Sequence, residues 1–435
     1  MRRLSLMLAF LRDTVLRAPA AQKQEQEQEQ EQQSDRAWDD CKQSQDLDRV
    51  LTGCSEILGR GNRETAANRA FALNSRGTAH HERGNLDAAI RDYDEAIRLD
   101  PRYRAAFHNR GIAHHGRGNF DAAIRDYDEA IHLDPRDALT FIGRGVAHRD
   151  IDNLDAAMRD FDEAMRLDSG NAKAFVNRGI AHYERGNFDA AMRDFDEAIR
   201  LDPRYAEAFS NRGTAHCARG NFDAAIRDYD EAILLDPRDA VTYIKRGIVH
   251  RARGNFDVAI RDYDEAIRLS PRDALAFINR GLAYSDRGDL DAAMRDYDGA
   301  IRLDPRHAAA FYNRGNALID SGKLDAAVRD FDEAIHLDPR DEVTFIGRGV
   351  AHSACGNLDA AIRDFDEAIH LNPREALAFD IRGRVYERRG DLGRAVADFR
   401  EAIRLGHEQA RADLDRVEAA LAAQQRPPRS GNSSA

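Results

Sequence analysis

Prolines at residues 101, 135, 203, 237, 271, 305, 339 and 373 fall on one lattice with a period of 34, and Ser169 and His407 occupy two further points of it. At 435 residues the chain is longer than a single hydrophobic core supports, so it either divides into domains or extends as a stack of repeats. A strict period of this length selects the stack. Counting Pro101 as position 32 frames ten gapless units, from Ala70–Tyr103 to Ala376–Gln409. The fifth, Ala206–Asp239, shows how each is built. Phe209, Gly213 and His216 lie on a first helix, and Ala225, Tyr229 and Ala232 on a second that runs up to Pro237. The glycine and alanines let two antiparallel helices approach closely, and the aromatics fill the gap to the next unit, a face that one unit alone cannot bury. Gly220 is placed as a left-handed cap of the first helix and Asn221 as the start of the second. Asp223 is expected to pair with Arg227 at i,i+4, and the Asp236-Pro237 step to end the helix.

Phe209, Gly213 and His216 stand where the tetratricopeptide repeat (TPR) pattern has Trp, Gly and Tyr, and Ala225, Tyr229 and Ala232 precede Pro237 on the second helix. From residue 70 to residue 409 the chain therefore resembles bacterial multi-repeat TPR proteins. The resemblance implies an all-α fold, an α-α superhelix of antiparallel helix pairs with ten 34-residue repeats, a degenerate N-terminal repeat and a C-terminal capping helix. It implies a binding scaffold without catalysis or cofactor.

The flanks divide as 1–33, 34–69, 410–423 and 424–435. In the first, Leu4 to Leu11 is apolar and follows Arg2 and Arg3, like a short signal peptide or anchor, whereas Arg12, Asp13 and Arg17 sit where a cleavage region is normally uncharged. Export to a periplasm-like compartment is the expectation, with a cytoplasmic chain carrying an amphipathic N-terminal helix as the alternative. The Gln/Glu run from Gln22 to Gln33 and the Pro/Ser/Gly-rich tail from Gln424 to Ala435 are too polar to bury a core, so disorder is expected there. Between 34 and 69, Gln45-Asp46-Leu47-Asp48 aligns with Gly84-Asn85-Leu86-Asp87 and places Cys41 and Cys54 at positions 11 and 24, which face each other in a helical hairpin. This segment resembles the N-terminal ends of exported bacterial TPR proteins. A disulfide is expected in an oxidising compartment, two buried thiols otherwise. Residues 410–423 read as the helix that caps the stack.

Charged residues make up 33% of the chain and its formal net charge is −12, with acids and bases interspersed. That distribution argues against nucleic acid as a partner. No apolar run reaches the roughly 18 residues of an integral membrane span. Position 7 is arginine and position 23 aspartate in all ten units, and an internal pair such as Arg212 with Asp228 is expected to neutralise a partly buried guanidinium. Histidine recurs at position 11, at His80, His114, His148, His182, His216, His250 and His352, too sparsely for metal, so packing with one ring nitrogen satisfied is expected. Units three, six and nine share Leu139-Thr140-Phe141-Ile142, Val241-Thr242-Tyr243-Ile244 and Val343-Thr344-Phe345-Ile346, a slower period that reads as tandem duplication or as a ligand read every third repeat. No phosphate loop, nucleophile elbow or paired catalytic carboxylates rise above the repeating background.

What remains is the concave groove, to which similar TPR proteins contribute positions 2, 5, 6, 9, 12 and 13 of each first helix. Position 6 is asparagine at Asn109, Asn177, Asn211, Asn279 and Asn313, similar to the asparagine ladder with which O-GlcNAc transferase superhelices hold peptide backbones. A side-chain amide offers both donor and acceptor to a peptide group. Ser75, Gly143, Lys245, Gly347 and Ile381 break the ladder. Positions 2, 5 and 9 are apolar in several units, as Leu139, Ile142 and Val146, Val241, Ile244 and Ile248, Leu275, Ile278 and Leu282, and Val343, Ile346 and Val350. These are expected to form recognition pockets, or core if neighbouring helices cover them. The carboxylate clamp of chaperone-binding TPR proteins needs Lys at position 5 and Asn at 9; His108, Val176, Ser210 and Ile278 stand at the former, and Asn316 alone fits the latter.

The reading is thus a scaffold that binds an extended or helical segment of a protein partner. Its alternatives are a cell-envelope or polysaccharide-related accessory factor and an enzyme of unrecognised type. Oligomeric state is not legible in the sequence.

Overall fold

The structure, a computed structural model, describes residues 36–42 and 45–424. The expected leader, the Gln/Glu-rich run and the tail beyond Gln424 lie outside the described residues. The chain forms two compact units, Met1–Arg219 and Gly220–Ala435. The division falls inside repeat five, whose first helix, Ala206–Ala218, ends unit 1 and whose second, Phe222–Leu235, opens unit 2. Among the described residues every regular element is a helix.

Unit 1 begins with α1 (residues 36–42) and α2 (Leu47–Gly59), which form a hairpin closed by a Cys41–Cys54 disulfide. Gly53 allows the approach, since a Cβ there would fall 2.6 Å from the carbonyl oxygen of Ala37. Repeat one follows as α3 (Ala66–Glu82) and α4 (Leu86–Leu99), with the Thr65 hydroxyl accepting from the N–H of Asn68 to cap α3. Repeats two to four continue the pattern. Unit 2 carries repeats six to ten and ends on the helix Arg411–Gln424, whose buried Leu414 and Val417 pack on the cluster around Phe399 and Ala402. That helix covers the apolar face of repeat ten in the manner of a cap.

Repeat seven shows why the hairpin closes. Its helices are Ala274–Asp286 and Leu290–Leu303. The second is amphipathic and buries Ala293, Tyr297 and Ala300. The ring of Tyr297 lies across Gly281 so closely that a Cβ on the glycine would stand 2.6 Å from Cε1. The same glycine-to-aromatic contact joins Gly145 to Phe161 and Gly247 to Tyr263. The turn between the helices is left-handed, at Gly84 (φ 75°) in repeat one for example, and in repeat three Asp152 takes that conformation with φ 61°. There the usual Arg-Gly pair is replaced by Ile151-Asp152, and Ile151 stands exposed.

One expectation about the turns holds and one needs correction. Asn221 begins the second helix of repeat five, yet its side chain makes no capping bond; Asn153 and Asn187 do cap, accepting from Ala156 and Ala190. Asp223 receives Arg253 from the next repeat, not Arg227 from its own helix. Arg117 reaches Asp87 in the same way at 2.8 Å, and Arg287 reaches Asp257 at 2.7 Å. An exposed i,i+4 pair is worth only about 0.3–0.5 kcal/mol, so it yields readily to a guanidinium already positioned by the stacking of the following repeat.

The triplet pattern also has a local cause. Asp137 and Asp341 each accept from the backbone N–H two residues on and from the hydroxyl three residues on, at Thr140 and Thr344. Thr140 and Thr344 are buried at position 3, where most repeats have alanine. The Asp-x-x-Thr spacing is therefore a helix N-cap with a second, side-chain bond.

Candidate functional site

The most repeated polar arrangement joins the repeats to one another. In repeat seven, Arg280 donates from Nε and Nη2 to the two carboxylate oxygens of Asp296, at 2.8 and 2.7 Å, and from Nη1 to Asp264 of the preceding repeat at 2.5 Å. Its guanidinium lies over the ring of Phe277, 5.5 Å from the centroid. Arg144, with Asp160, Asp128 and Phe141, and Arg348, with Asp364, Asp332 and Phe345, repeat the arrangement. Arg212 donates to Asp196 and stacks on Phe209, and Asp228 is buried. The expected pairing with position 23 is thus half of the motif. The other half, the carboxylate at position 25 of the preceding repeat, was missed, although aspartate stands there in the first nine repeats and gives way only to Arg400 in the tenth. Two carboxylates and an aromatic face occupy all three sides of the guanidinium, so these arginines bind the chain itself rather than an anionic ligand.

The histidines at position 11 pack with one ring nitrogen buried. Nδ1 of His80, His114, His148, His250 and His352 is buried without a hydrogen-bond partner, and Nε2 of His80, His114 and His182 stands 3.9 Å from an aspartate oxygen, beyond hydrogen-bond range. Burial pushes the pKa of His80, His114, His148, His182 and His250 down, against the nearby aspartates that pull it up. No group of three or more His, Cys, Asp or Glu side chains among the described residues is placed to hold a metal.

A pH dependence follows. With folded pKa values below the unfolded value of about 6.5, the unfolded chain binds more protons in the intervening window, so the histidines' contribution is full above about pH 6.5 and is lost as pH falls toward the folded values. The melting temperature should therefore drop between pH 7.5 and 5.5, and a variant with these five histidines changed to glutamine should drop less. Equal slopes for the two proteins would show that the rings do not carry the effect.

On the first helices the structure separates the candidate residues into two groups. Ile142, Ile278 and Ile346 at position 5 are buried, packed with Ala174, Ala310 and Ala378 of the following repeats. Ile244 is half-buried in a cluster with Ala276. Position 5 therefore lies in the wall between consecutive first helices, and the pockets expected there are core. At position 9, Val146, Leu282 and Val350 are half-buried and Ile248 is exposed. Among the asparagines, Asn177 is buried and donates to the Lys173 carbonyl, while Asn109 is half-buried and donates to Asn74. Asn279 and Asn313 donate to the carbonyls of Leu275 and Ala309 on their own helices, at 2.9 and 2.8 Å, and Asn211 is half-exposed.

Position 2 carries an exposed apolar side chain in five repeats, as Leu139 in unit 1 and Val241, Leu275, Val343 and Leu377 in unit 2; Ile112 and Ile248 at position 9 and Ile151, Phe222, Leu234 and Leu303 off the first helices are exposed as well. Leu377 was not singled out, though Ala376-Leu377-Ala378 repeats Ala274-Leu275-Ala276. No helix among the described residues is long and apolar enough to cross a membrane.

Stacked antiparallel helix pairs of constant length, most closed by a glycine turn, held within each repeat by a buried arginine–aspartate pair and bonded through the same arginine to the repeat before, define a helical-repeat solenoid. The sequence profile described as tetratricopeptide repeat matches residues 176–240, 244–300, 278–342 and 347–413, and related profiles match 77–118 and 105–137. The chain belongs to the tetratricopeptide repeat family. Its fold is similar to yeast Tom70, at 16% identity over 88% of this chain and 94% of that one with a TM-score of 0.49. It is also similar to a chain of the APC/C hetero-tetramer Cut9–Hcn1 (14%, 85% and 93%, TM-score 0.49) and to MamA (26%, 39% and 93%, TM-score 0.35). No curated protein sequence matches the chain.

Proposed function

We propose that this protein is a protein-interaction scaffold and that the first-helix face of its second unit receives a segment of a protein partner. One observation carries the reading: Val241, Leu275, Val343 and Leu377 are 54%, 52%, 42% and 42% exposed at the same position of four repeats. Scattered exposed apolar residues are ordinary, but a row of them at one register is the pattern of an interaction face. Membership of the tetratricopeptide repeat family supports the same class of function. The Cys41–Cys54 cross-link supports an oxidising compartment as the place of action.

The test is Leu275→Asp with Val343→Asp. Both side chains are open to solvent, so the variant should melt as the wild type does while losing the proteins that wild type retains on affinity capture from its own cells. An unchanged set of captured proteins would move the recognition surface elsewhere on the molecule.

A further inference from the structure

Position 22, on the second helices, is arginine in the first nine repeats: Arg91, Arg125, Arg159 and Arg193 in unit 1, and their counterparts from Arg227 to Arg363 in unit 2. All nine are exposed, and none makes an ion pair, a side-chain hydrogen bond or a ring contact among the described residues. Their neighbours explain the isolation, because the carboxylates closest along the helix are held by other arginines. On the second helix of repeat four, Phe188–Leu201, Asp189 lies one turn before Arg193 and receives Arg219 of the next repeat. Asp196 and Glu197, three and four residues after it, receive Arg212 at 2.6 Å and Arg200 at 2.5 Å. Arg159 in repeat three and Arg91 in repeat one stand in the same setting. The exposed turn arginines differ, since Arg102 has Asp100 two residues before it, with a carboxylate that accepts its N–H at 3.0 Å.

An unpaired guanidinium fits a carboxylate or a phosphate in bidentate fashion, and the surroundings favour the carboxylate of a protein. A cavity of about 440 Å³ lies beside Arg91 and Arg117, and one of about 380 Å³ beside Arg227 and Arg253 in unit 2, so an acidic side chain has room next to the free guanidinium. The side chains of Asp155 and Asp189, one turn from Arg159 and Arg193, are 76% and 69% exposed, and the whole chain carries a net charge of −12. A nucleic-acid duplex, with one charge per about 1.7 Å, or an anionic membrane surface would set its phosphates against those aspartates as well. A protein segment separates its carboxylates by uncharged residues and meets the arginines alone. We propose that the second-helix face of unit 1 is a further interaction surface, and that it binds an acidic protein segment whose spaced carboxylates pair with Arg91, Arg159 and Arg193.

This surface is separate from the position-2 row, and its test leaves that row untouched. Fluorescein-labelled probes are titrated into the full chain by anisotropy: a peptide of repeated Glu-Gly-Ser triplets, its Gln-Gly-Ser twin, and a short DNA duplex. Vesicles of phosphatidylglycerol with phosphatidylcholine are tested by co-sedimentation. The glutamate peptide should bind and the glutamine peptide should not, with an affinity that falls about fivefold or more as salt rises from about 20 to about 200 mM. Arg91→Gln with Arg159→Gln and Arg193→Gln should weaken that binding about tenfold, the scale of three exposed charge pairs, and leave the melting temperature unchanged. Arg102→Gln with Arg136→Gln and Arg204→Gln makes the same change in net charge and should bind as the wild type does. Equal loss in the two variants would reduce the effect to net charge, and tighter binding of the duplex or the vesicles would replace the protein partner. Either result would overturn the inference, as would binding retained in the first variant or a glutamate peptide that does not bind.

Discussion

Arg280→Met is expected to destabilise unit 2 by about 3–5 kcal/mol, because it leaves the buried Asp296 charged and without its partner. The side chain of Asp296 is only 8% exposed and that of Arg280 19%. The substitution also removes the bond to Asp264 and the stacking on Phe277, so the loss should appear at the boundary between repeats six and seven as well as within repeat seven. Adding Asp296→Ala to Arg280→Met removes the stranded charge and should recover much of the stability, since an ion pair replaced as a pair costs far less than one broken. Urea unfolding of the two single variants and the double variant supplies the cycle. A double variant whose loss equals the sum of the single losses would show that the two side chains do not interact.

The second large effect is expected at the N-terminus. Changing Cys41 and Cys54 to serine should cost the first hairpin about 3 kcal/mol, the scale for a cross-link closing a loop of this size; the two cysteines are separated by 13 residues. Helix α1 is held to the repeats by the cross-link and by the packing of Ala37 and Trp38 in the cluster with Cys54 and Ile57. Trp38 is the chain's one tryptophan, and its ring packs 6.2 Å from that of Phe71 on α3. Its fluorescence therefore reports docking of α1 directly. Reduction, or the double serine variant, should shift the emission to longer wavelength and open the ring to acrylamide, with little change in total helicity. In oxidised native protein Cys41 and Cys54 should resist alkylation until reductant is added. An emission spectrum indifferent to reductant would mean that α1 stays docked without the bond.

Both effects, and the placement of the exposed apolar row at position 2, concern contacts between elements that a linear pattern specifies unequally. The repeat frame, the turn glycines and the helix ends at the proline lattice were legible because each depends on residues within one turn or one hairpin. Gly281 is required by the ring of Tyr297, and Gly84 by a left-handed turn. The cysteine pair was legible for a similar reason, since the hairpin register alone brings positions 11 and 24 together.

The charge ladder and the exposed apolar row were legible only in part. Arg280 lies 16 residues from Asp296 and also 16 residues from Asp264. The sequence is symmetric about the arginine, so recurrence announces that arginine and aspartate belong together without saying that one guanidinium holds a carboxylate on each side. Position 5 and position 2 are equally apolar in repeats three, six, seven and nine, and helical periodicity puts both near one face. Only the placement of the following first helix covers Ile278 with Ala310 and leaves Leu275 52% exposed. Sequence by itself determined the unit, its length, its turns and the residue types that must pair. Tertiary structure alone decided which neighbour each side chain meets, because a residue's burial depends on what the next repeat sets against it, and that partner stands some 34 positions away in the chain.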